Sequence, residues 1–303
     1  MTFLYFFLKS CRAQLLEGLK MRIFTDSSCD LPKSFYAENE VHLFPLRVLI
    51  DDKEYDDVFG IETSEVYAAI AAGQLPKTSQ VSPEVFYKQF EALAQSGEEG
   101  LYIAFSSELS GTCSTAMMVQ RELLEKYPDM KLTIVDTKCA SLGQGLVVTE
   151  AVALRNLRFD YETIVEGVTK KAATMEHLFT VGDLDHLAKG GRVSKTSAFV
   201  GGLLNIKPIL NVDNGKLVPV EKTRGMKKAI KRMIELMKER GGEDFSNKVV
   251  GISHSNDEQL LHEVKVAIEE NLNPRAIETT TIGAVIGAHV GQGTVGIYFN
   301  REQ

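Results

Sequence analysis

The chain has 303 residues, of which 44% are hydrophobic and 25% are charged, and its formal net charge is -7. This length predicts two domains of ordinary size, and this composition is that of a folded globular protein without disordered tracts. The negative charge argues against binding to nucleic acid or to an anionic membrane surface, unless a local basic patch provides it. The basic segment 222–232 is the candidate, and it equally fits the solvated face of an amphipathic helix.

The cysteines and the first twenty residues give limited information. Cys11, Cys29, Cys113 and Cys139 form no CxxC pair and show no zinc-type spacing, which predicts neither a disulfide framework nor a metal site and favours a reducing compartment. Residues 1–20 contain a short apolar run ahead of their first basic residue, the reverse of a secretory signal, and the run is too short to cross a bilayer. We treat 1–20 as an extension of doubtful status: translation starts at Met21, or the extension adds a helix.

From Met21 onward, apolar β-type runs alternate with helix-period segments, which is the pattern of βαβ units around a parallel sheet. We predict strands at 21–25, 43–50, 101–105 and 132–135, with a turn at 51–53 and a loop at 73–82. Helices are predicted after Pro32, from Ser64 to Gly73, from Pro83 to Gly97, at 116–126 and at 143–156.

Asp160 is predicted to cap the next helix, and beyond it the strands become shorter and turns more frequent. We therefore place a domain boundary near residue 165, between an N-terminal α/β domain (21–165) and a C-terminal α/β domain (166–303). The second domain is predicted to begin with a strand at 178–181, a short helix, and a small-residue helix at 194–204. Asp213-Asn214-Gly215 predicts a hairpin. Two helix–strand pairs, a glycine-rich loop at 282–293 and a last strand at 295–299 complete the chain.

Standard catalytic motifs are absent: the sequence contains no GxSxG, Walker or HExxH motif. Asp26 follows the first predicted strand, where a phosphotransferase could use it as a nucleophile, but Ser28 stands where that chemistry needs a second carboxylate. The alternative interpretation is that Asp26 and Ser27 cap the helix after Pro32 and bind loop amides.

Hydroxyl-rich loops lie where open α/β sheets bind ligands, near the carboxyl ends of the predicted strands. They are 27–28, 77–82 and 106–112. Any one hydroxyl could simply cap a helix, but the three loops together predict an anion site. His289 lies among glycines that would allow close approach of a ligand, so we interpret it as a ligand contact. Gly190-Gly191 predicts a helix end, and Arg192 would bind a phosphate or carboxylate or form a surface ion pair.

Five segments in this order resemble motifs of the DegV family, and the resemblance covers residues 21–300. The segments are TDSSCDLP (25–32), KTSQVSP (77–83), SELSGT (107–112), GGR (190–192) and IGAHVGQG (286–293). Val81 and Gln292 stand where the family commonly has proline, and neither departure removes a proposed contact group.

The resemblance implies a two-domain α/β fold of the DegV (EDD) type that holds a long-chain fatty acid between its domains, with no other cofactor and no metal. It implies a bacterial, cytoplasmic, non-catalytic protein of phospholipid metabolism, without stable membrane insertion, that presents the acid to the ATP-binding subunit of a fatty acid kinase. The implied carboxylate contacts are Thr78, Ser110 and His289. The implied secondary residues are Ser79, Gly111, Thr112 and Arg192, with Arg192 contacting the acyl phosphate or the kinase.

Several alternatives stay open at this point. Phe179, Ile286 and the segment 194–204, with Phe199, Leu203 and Leu204, could line a channel for the acyl chain, although ordinary core packing explains each of them. A serine hydrolase or esterase could use Ser110 and His289, but it needs a third carboxylate and an oxyanion hole that the sequence does not identify. A carbohydrate- or phosphate-binding enzyme could use the hydroxyl-rich loops.

Overall fold

The computed structural model describes residues 21–193 and 205–302. Two predictions from the sequence, the extension 1–20 and the helix 194–204 with Phe199, Leu203 and Leu204, lie outside the described residues. We name residues 21–174 the N-terminal unit and the described part of 175–302 the C-terminal unit, because each unit contains its own large sheet. The predicted α/β architecture, a parallel sheet with flanking helices followed by a second α/β unit, is confirmed.

The N-terminal unit is built around a four-stranded parallel sheet. The order of its strands is β2-β1-β6-β7. Its two central strands, Met21–Asp26 and Glu99–Ala104, are buried on both faces, as expected where helices cover a parallel sheet. The elements of this sheet and its helices are β1 (Met21–Asp26), a 3-10 turn (Ser27–Cys29), α1 (Lys33–Glu38), β2 (Val41–Phe44), α2 (Thr63–Ala71), α3 (Pro83–Ser96), β6 (Glu99–Ala104), α4 (Thr112–Lys126), β7 (Leu132–Asp136), α5 (Leu142–Asn156) and α6 (Tyr161–Thr174).

Several predicted boundaries of the N-terminal unit follow from local chemistry. Pro83 occupies the first turn of α3, Gly97 ends this helix at a φ of 68°, and the Asp160 carboxylate caps α6 by accepting from the amide of Thr163. Helix α4 begins at Thr112, four residues before the predicted start. The loop that carries Ser110 therefore leads directly into the first turn of α4.

A small antiparallel sheet was not predicted from the sequence. It has the order β4-β3-β5 and consists of β3 (Arg47–Ile50), β4 (Lys53–Asp56) and β5 (Lys77–Ser79). The prediction of a single strand at 43–50 is wrong. The chain leaves the parallel sheet at Pro45, which has no amide hydrogen to donate, and a separate strand begins at Arg47. The loop predicted at 73–82 is also wrong in part. It contains the three-residue strand β5, in which Thr78 pairs with Val48.

The C-terminal unit is built around a mixed six-stranded sheet. The order of its strands is β10-β9-β8-β13-β11-β12. Its elements are β8 (Met175–Thr180), α7 (Leu184–Lys189), β9 (Ile206–Asp213), β10 (Lys216–Arg224), α8 (Met226–Gly241), β11 (Val249–His254), α9 (Glu258–Leu272), β12 (Ala276–Thr281), α10 (Ala284–Val290) and β13 (Val295–Asn300). The predicted hairpin is confirmed: β9 and β10 pair antiparallel, and Asn214 and Gly215 both adopt positive φ.

The glycine-rich segment 282–293, predicted as a loop, contains helix α10 instead. Its glycines allow close packing against neighbours, since a Cβ on Gly287 would lie 2.9 Å from the Tyr67 hydroxyl. Residue 165, where we predict the domain boundary, lies within α6, and this helix packs on α5. The boundary itself stays a prediction.

A continuous apolar cluster joins the two units. It contains Phe44 and Phe105 from the N-terminal unit and Phe179, Leu217 and Val285 from the C-terminal unit. None of the helices in the described part of the chain combines the length and the apolar character that a bilayer crossing requires.

An aromatic group lies at the centre of the N-terminal part of this cluster. Phe24, Phe44, Phe86, Phe90 and Tyr102 are all at most 1% exposed. Their rings meet in stacked, tilted and edge-to-face pairs, with centroid separations between 4.6 and 6.4 Å. Such pairs add to the free energy gained from burial.

We expect Phe90→Ala to lower the free energy of unfolding by about 3–5 kcal/mol, because the site cannot collapse around the missing ring. Phe59→Ala is the matched control, since Phe59 is 57% exposed, and it should cost less than about 1 kcal/mol. Urea unfolding monitored by circular dichroism measures both. Equal losses for the two variants would contradict the assignment of Phe90 to the core.

Candidate functional site

A cavity of ≈ 370 Å³ lies where the two units meet. This volume falls within the range of about 300–1,000 Å³ that is typical of small-molecule sites. Most of the wall is apolar and comes from both units, including Leu46, Phe105, Leu109, Phe179, Val285 and Ile286. Phe179 and Ile286 are therefore both cavity residues as well as parts of the core.

Thr78, Ser110 and His289 all line this cavity. Thr78 is brought there by β5 and His289 by the last turn of α10, and Thr78 Oγ1 lies 2.7 Å from His289 Nε2. Ser110 lies just before α4, where its Oγ contacts Thr112 Oγ1 at 2.9 Å and accepts from the Thr112 amide. Residues distant in sequence thus present two hydroxyls and one imidazole to the same space.

Of the four residues that the family resemblance implies as secondary contacts, three line the cavity and one does not. Ser79, Gly111 and Arg192 line it, whereas Thr112 lies behind Ser110 and is fully buried. Arg192 is exposed, and its guanidinium donates to the carbonyl of Gly190 at 2.8 Å and is 3.5 Å from that of Leu109. The cavity therefore has its fixed positive charge at the rim.

Gln80 is a cavity residue that the sequence interpretation did not select. Its amide nitrogen donates to Thr115 Oγ1 at 2.8 Å, and its side chain fills the space beside Gly111 that a Cβ would need. A side chain at position 111 would therefore have to displace the Gln80 amide, whereas the backbone of Gly111, with a φ of -70°, is open to any residue. The signal was present in the sequence, because Gln80 belongs to the same hydroxyl-rich loop as Thr78.

His289 is less open to solvent than its neighbouring glycines suggest. Its Nδ1 is buried and makes no hydrogen bond of ordinary geometry within the described residues. Burial, together with the nearby charge of Arg192, lowers the pKa of His289 from 6.5 to about 4. The imidazole is consequently neutral at physiological pH, and it can share one proton with Thr78 in either direction.

A second histidine, His177, lines the cavity and lies on β8, as Phe179 does. Burial lowers its pKa to about 4, and its Nε2 accepts from the amide of Ala140 at 3.3 Å. Ser141 and Tyr298 lie in the same part of the wall, and the Tyr298 hydroxyl lies 2.7 Å from Ser253 Oγ. Nothing in the local sequence marked these residues: the pairing of β8 with β13 places His177 opposite Tyr298, and Ser141 reaches them from the start of α5.

The loop at 27–28 does not reach the cavity, although it was predicted to join the anion site. Ser27 Oγ accepts from the amide of Leu46 at 3.1 Å, and Ser28 Oγ bonds to the carboxylate of Asp26. Asp26 is fully buried, and burial raises its pKa. It accepts from the hydroxyl of Tyr102 and from the amide of Phe105, so it is neither a helix cap nor an accessible nucleophile.

The geometry does not support the serine hydrolase alternative. His289 contacts Thr78 rather than Ser110, and among the described residues no carboxylate orients its Nδ1. Within 21–193 and 205–302, no three His, Cys, Asp or Glu side chains are grouped so as to hold a metal ion. The described arrangement is thus a set of neutral donors beside an apolar cavity.

The lowered pKa of His289 predicts a pH-dependent contribution to stability. The unfolded chain takes up a proton near pH 6.5 and the folded chain only near pH 4, so protonation favours unfolding as the pH falls through this window. Between pH 6.5 and pH 4, the free energy of unfolding of the wild-type protein should fall by on the order of 3 kcal/mol more than that of His289→Asn. Urea unfolding at a series of pH values measures the difference, with His262→Asn on the exposed face of α9 as the control. Parallel pH curves for wild type and His289→Asn would contradict the prediction.

Comparisons with known proteins agree with this architecture. The family model described as "Uncharacterised protein, DegV family" matches residues 20–302. A DegV domain-containing protein of Clostridium perfringens is 38% identical over 283 residues, which cover 92% of this chain and 97% of the relative.

Two solved structures have the same fold. One, described as showing fatty acid binding of a DegV family protein from Thermus thermophilus, has a TM-score of 0.83 and 28% identity and covers 93% of this chain and 99% of that one. The other, a DegV lipid-binding protein from Thermotoga maritima, has a TM-score of 0.81 and 31% identity, with the same coverage of both chains. By the match of its sequence and by its fold, the chain belongs to the DegV family.

Proposed function

We propose that the protein binds a long-chain fatty acid in the cavity between its two units, with the carboxylate at Thr78, Ser110 and His289. The observation that carries this proposal is the distribution of polarity in the cavity: the wall is mainly apolar, and hydroxyl and imidazole groups cluster beside an exposed arginine. A linear amphiphile with one polar end matches that distribution. The fatty acid binding described for the Thermus thermophilus relative supports the same ligand class.

Thr78, Ser110 and His289, which we name the carboxylate site, can satisfy an anion without a buried positive charge. If His289 Nε2 donates its proton to Thr78 Oγ1, the Thr78 hydroxyl is free to donate to the ligand, and Ser110 can donate a second hydrogen bond. A buried carboxylate needs such donors, because removing it from water without them is costly. The negative charge of the ligand would in turn raise the pKa of His289, so that the ring becomes a better donor on binding.

The acyl chain supplies most of the binding free energy. Burial of ~14 methylenes at ~0.8 kcal/mol each contributes roughly 11 kcal/mol before the costs of association are subtracted. Affinity therefore depends mainly on the apolar wall. The carboxylate site selects the head group and sets its orientation.

We further propose that the protein is a non-catalytic, cytoplasmic subunit that presents the acid to the ATP-binding subunit of a fatty acid kinase. The hydroxyl–imidazole pair at the cavity, Thr78 and His289, has no carboxylate at His289 Nδ1 among the described residues, which is consistent with catalysis by a partner. Arg192 is exposed at the rim, where its guanidinium can contact an acyl phosphate or a carboxylate of the partner bidentately. The phosphoryl group would thus be transferred at the mouth of the cavity.

Solvent extraction of the purified protein followed by mass spectrometry tests the ligand. We expect about one fatty acid per chain in the wild type and clear depletion in Thr78→Ala/Ser110→Ala, because the carboxylate loses two donors. Ser64→Ala, on the exposed surface of α2, is the control and should retain the ligand. If the wild type carries no lipid and takes none up when fatty acid is offered, the proposed ligand is wrong.

Reconstitution with the ATP-binding subunit of a bacterial fatty acid kinase tests the role of Arg192. We expect Arg192→Ala to retain bound fatty acid but to lower the rate of acyl phosphate formation at least tenfold, because the variant loses the charge at the rim. Arg192→Lys should recover only part of the rate, since an ammonium group cannot form the bidentate contact. An unchanged rate in Arg192→Ala would exclude this role.

A further inference from the structure

Helix α10 carries His289, and both ends of this helix contact the N-terminal unit. At its C-terminal end, His289 meets Thr78 of β5. At its N-terminal end, the amide of Gly283, the N-cap residue, donates to Asp30 Oδ1 at 3.0 Å. The helix has only seven residues, too few to be stable by itself, so its position depends on such tertiary contacts.

Asp30 is held rigidly enough to act as a fixed support. It is 5% exposed and follows the 3-10 turn after β1 with a φ of 53°. Its Oδ2 forms a short hydrogen bond with Ser141 Oγ, and its backbone carbonyl accepts from Thr280 Oγ1 at 2.6 Å. Burial raises the pKa of Asp30 to about 8. The carboxyl group is therefore largely protonated at neutral pH, and its proton can bond to Ser141 while Oδ1 accepts from Gly283.

Because Gly283 has no side chain, the Asp30 carboxyl group can approach its amide closely. Its φ of -66° is open to any residue, so no backbone requirement explains the glycine. A Cβ at this position would lie 2.7 Å from Asp30 Oδ1 and would displace the carboxyl group. The close approach of Asp30 to the start of α10 thus depends on both residues.

A second buried carboxylate lies at the same end of α10. Asp57 Oδ1 accepts from the amide of Val58 at 3.0 Å. Burial raises the pKa of Asp57 to about 6, and the side chain of Ser27 and the amides of Val58, Val285 and Ala284 oppose this rise by stabilising the charged form. Its side chain is 2% exposed. Asp57 therefore adds electrostatic support to the amides of the first turn, whereas Asp30 makes the direct hydrogen bond.

We propose that Asp30 is a positioning residue for the carboxylate site: by binding the amide of Gly283 it holds α10 so that His289 stays against Thr78. The role rests on the proposed function, because it concerns the head group of the fatty acid. Loss of the contact would let the start of the helix move and would shift His289 at its other end. Helix α10 contributes Val285, Ile286 and Val290 to the apolar wall, and the rest of the wall, which comes from other elements of both units, would still bind the chain of the ligand.

The test compares Asp30→Ala with Asp30→Asn, using palmitate and hexadecanol as probes with the same chain and different head groups. In Asp30→Ala we expect the affinity for palmitate to fall about tenfold, the loss typical of a hydrogen bond to a charged ligand, and the affinity for hexadecanol to change less than about twofold. Asp30→Asn should restore palmitate binding, because an amide can accept from Gly283 and donate to Ser141 as the protonated acid does.

NMR titration of the His289 imidazole supplies a readout that needs no ligand. Its pKa should rise from about 4 in the wild type toward 6.5 in Asp30→Ala, because the displaced ring becomes more solvated. Gly283→Ala should reproduce both effects while keeping Asp30, which covers the case in which Asp30→Ala does not fold. Gly167→Ala in α6 is the matched control, since its Cβ would meet only the flexible end of Leu154.

Equal losses of palmitate and hexadecanol binding in Asp30→Ala would show a general structural role and would overturn the proposal. An unchanged His289 pKa in both Asp30→Ala and Gly283→Ala, or an Asp30→Asn variant as impaired as Asp30→Ala, would also overturn it. If the wild type binds no palmitate, the proposed function fails. The His289 titration then still decides whether Asp30 positions α10.

Discussion

The contact between Thr78 and His289 joins the two units at the polar end of the cavity. Thr78 lies on a strand of only three residues and His289 on a helix of only seven, so neither residue is held in place by its own element. Their positions depend on how the small sheet and α10 pack between the two larger sheets. The arrangement of hydroxyls and imidazole is thus a product of the interface between the units rather than of either unit.

Burial favours the uncharged form of four titratable groups near this interface. It lowers the pKa of His289 and His177 and raises that of Asp26 and Asp30, so the uncharged forms are favoured in each case. A neutral interior can hold hydroxyls and imidazoles within hydrogen-bond distance of one another without a large desolvation cost. The guanidinium of Arg192 lies exposed at the rim. An anionic ligand would therefore enter past a positive charge and rest among neutral donors.

Much of the fold could be predicted from local patterns. Pro83 and Gly97 mark the ends of α3, Asp160 caps α6, and Asn214-Gly215 forms the turn of the β9–β10 hairpin. Each of these signals acts within a few residues, so no tertiary information was needed. The predictions failed at Pro45, at β5 and at α10, where short elements are stabilised by contacts with distant parts of the chain. Apolar periodicity is too weak a signal over three to seven residues.

The sequence by itself determined the order of the main strands and helices, the family resemblance and the set of hydroxyl and imidazole groups available for a ligand. Only the tertiary structure decided which of these groups meet. It placed Thr78, Ser110 and His289 around one cavity, and it directed Ser27 and Ser28 toward Leu46 and Asp26. It also added Gln80 and His177 to the wall. The physical reason is that a hydroxyl's partner depends on which strand edges and helix ends come together, and this is decided by packing between residues far apart in sequence.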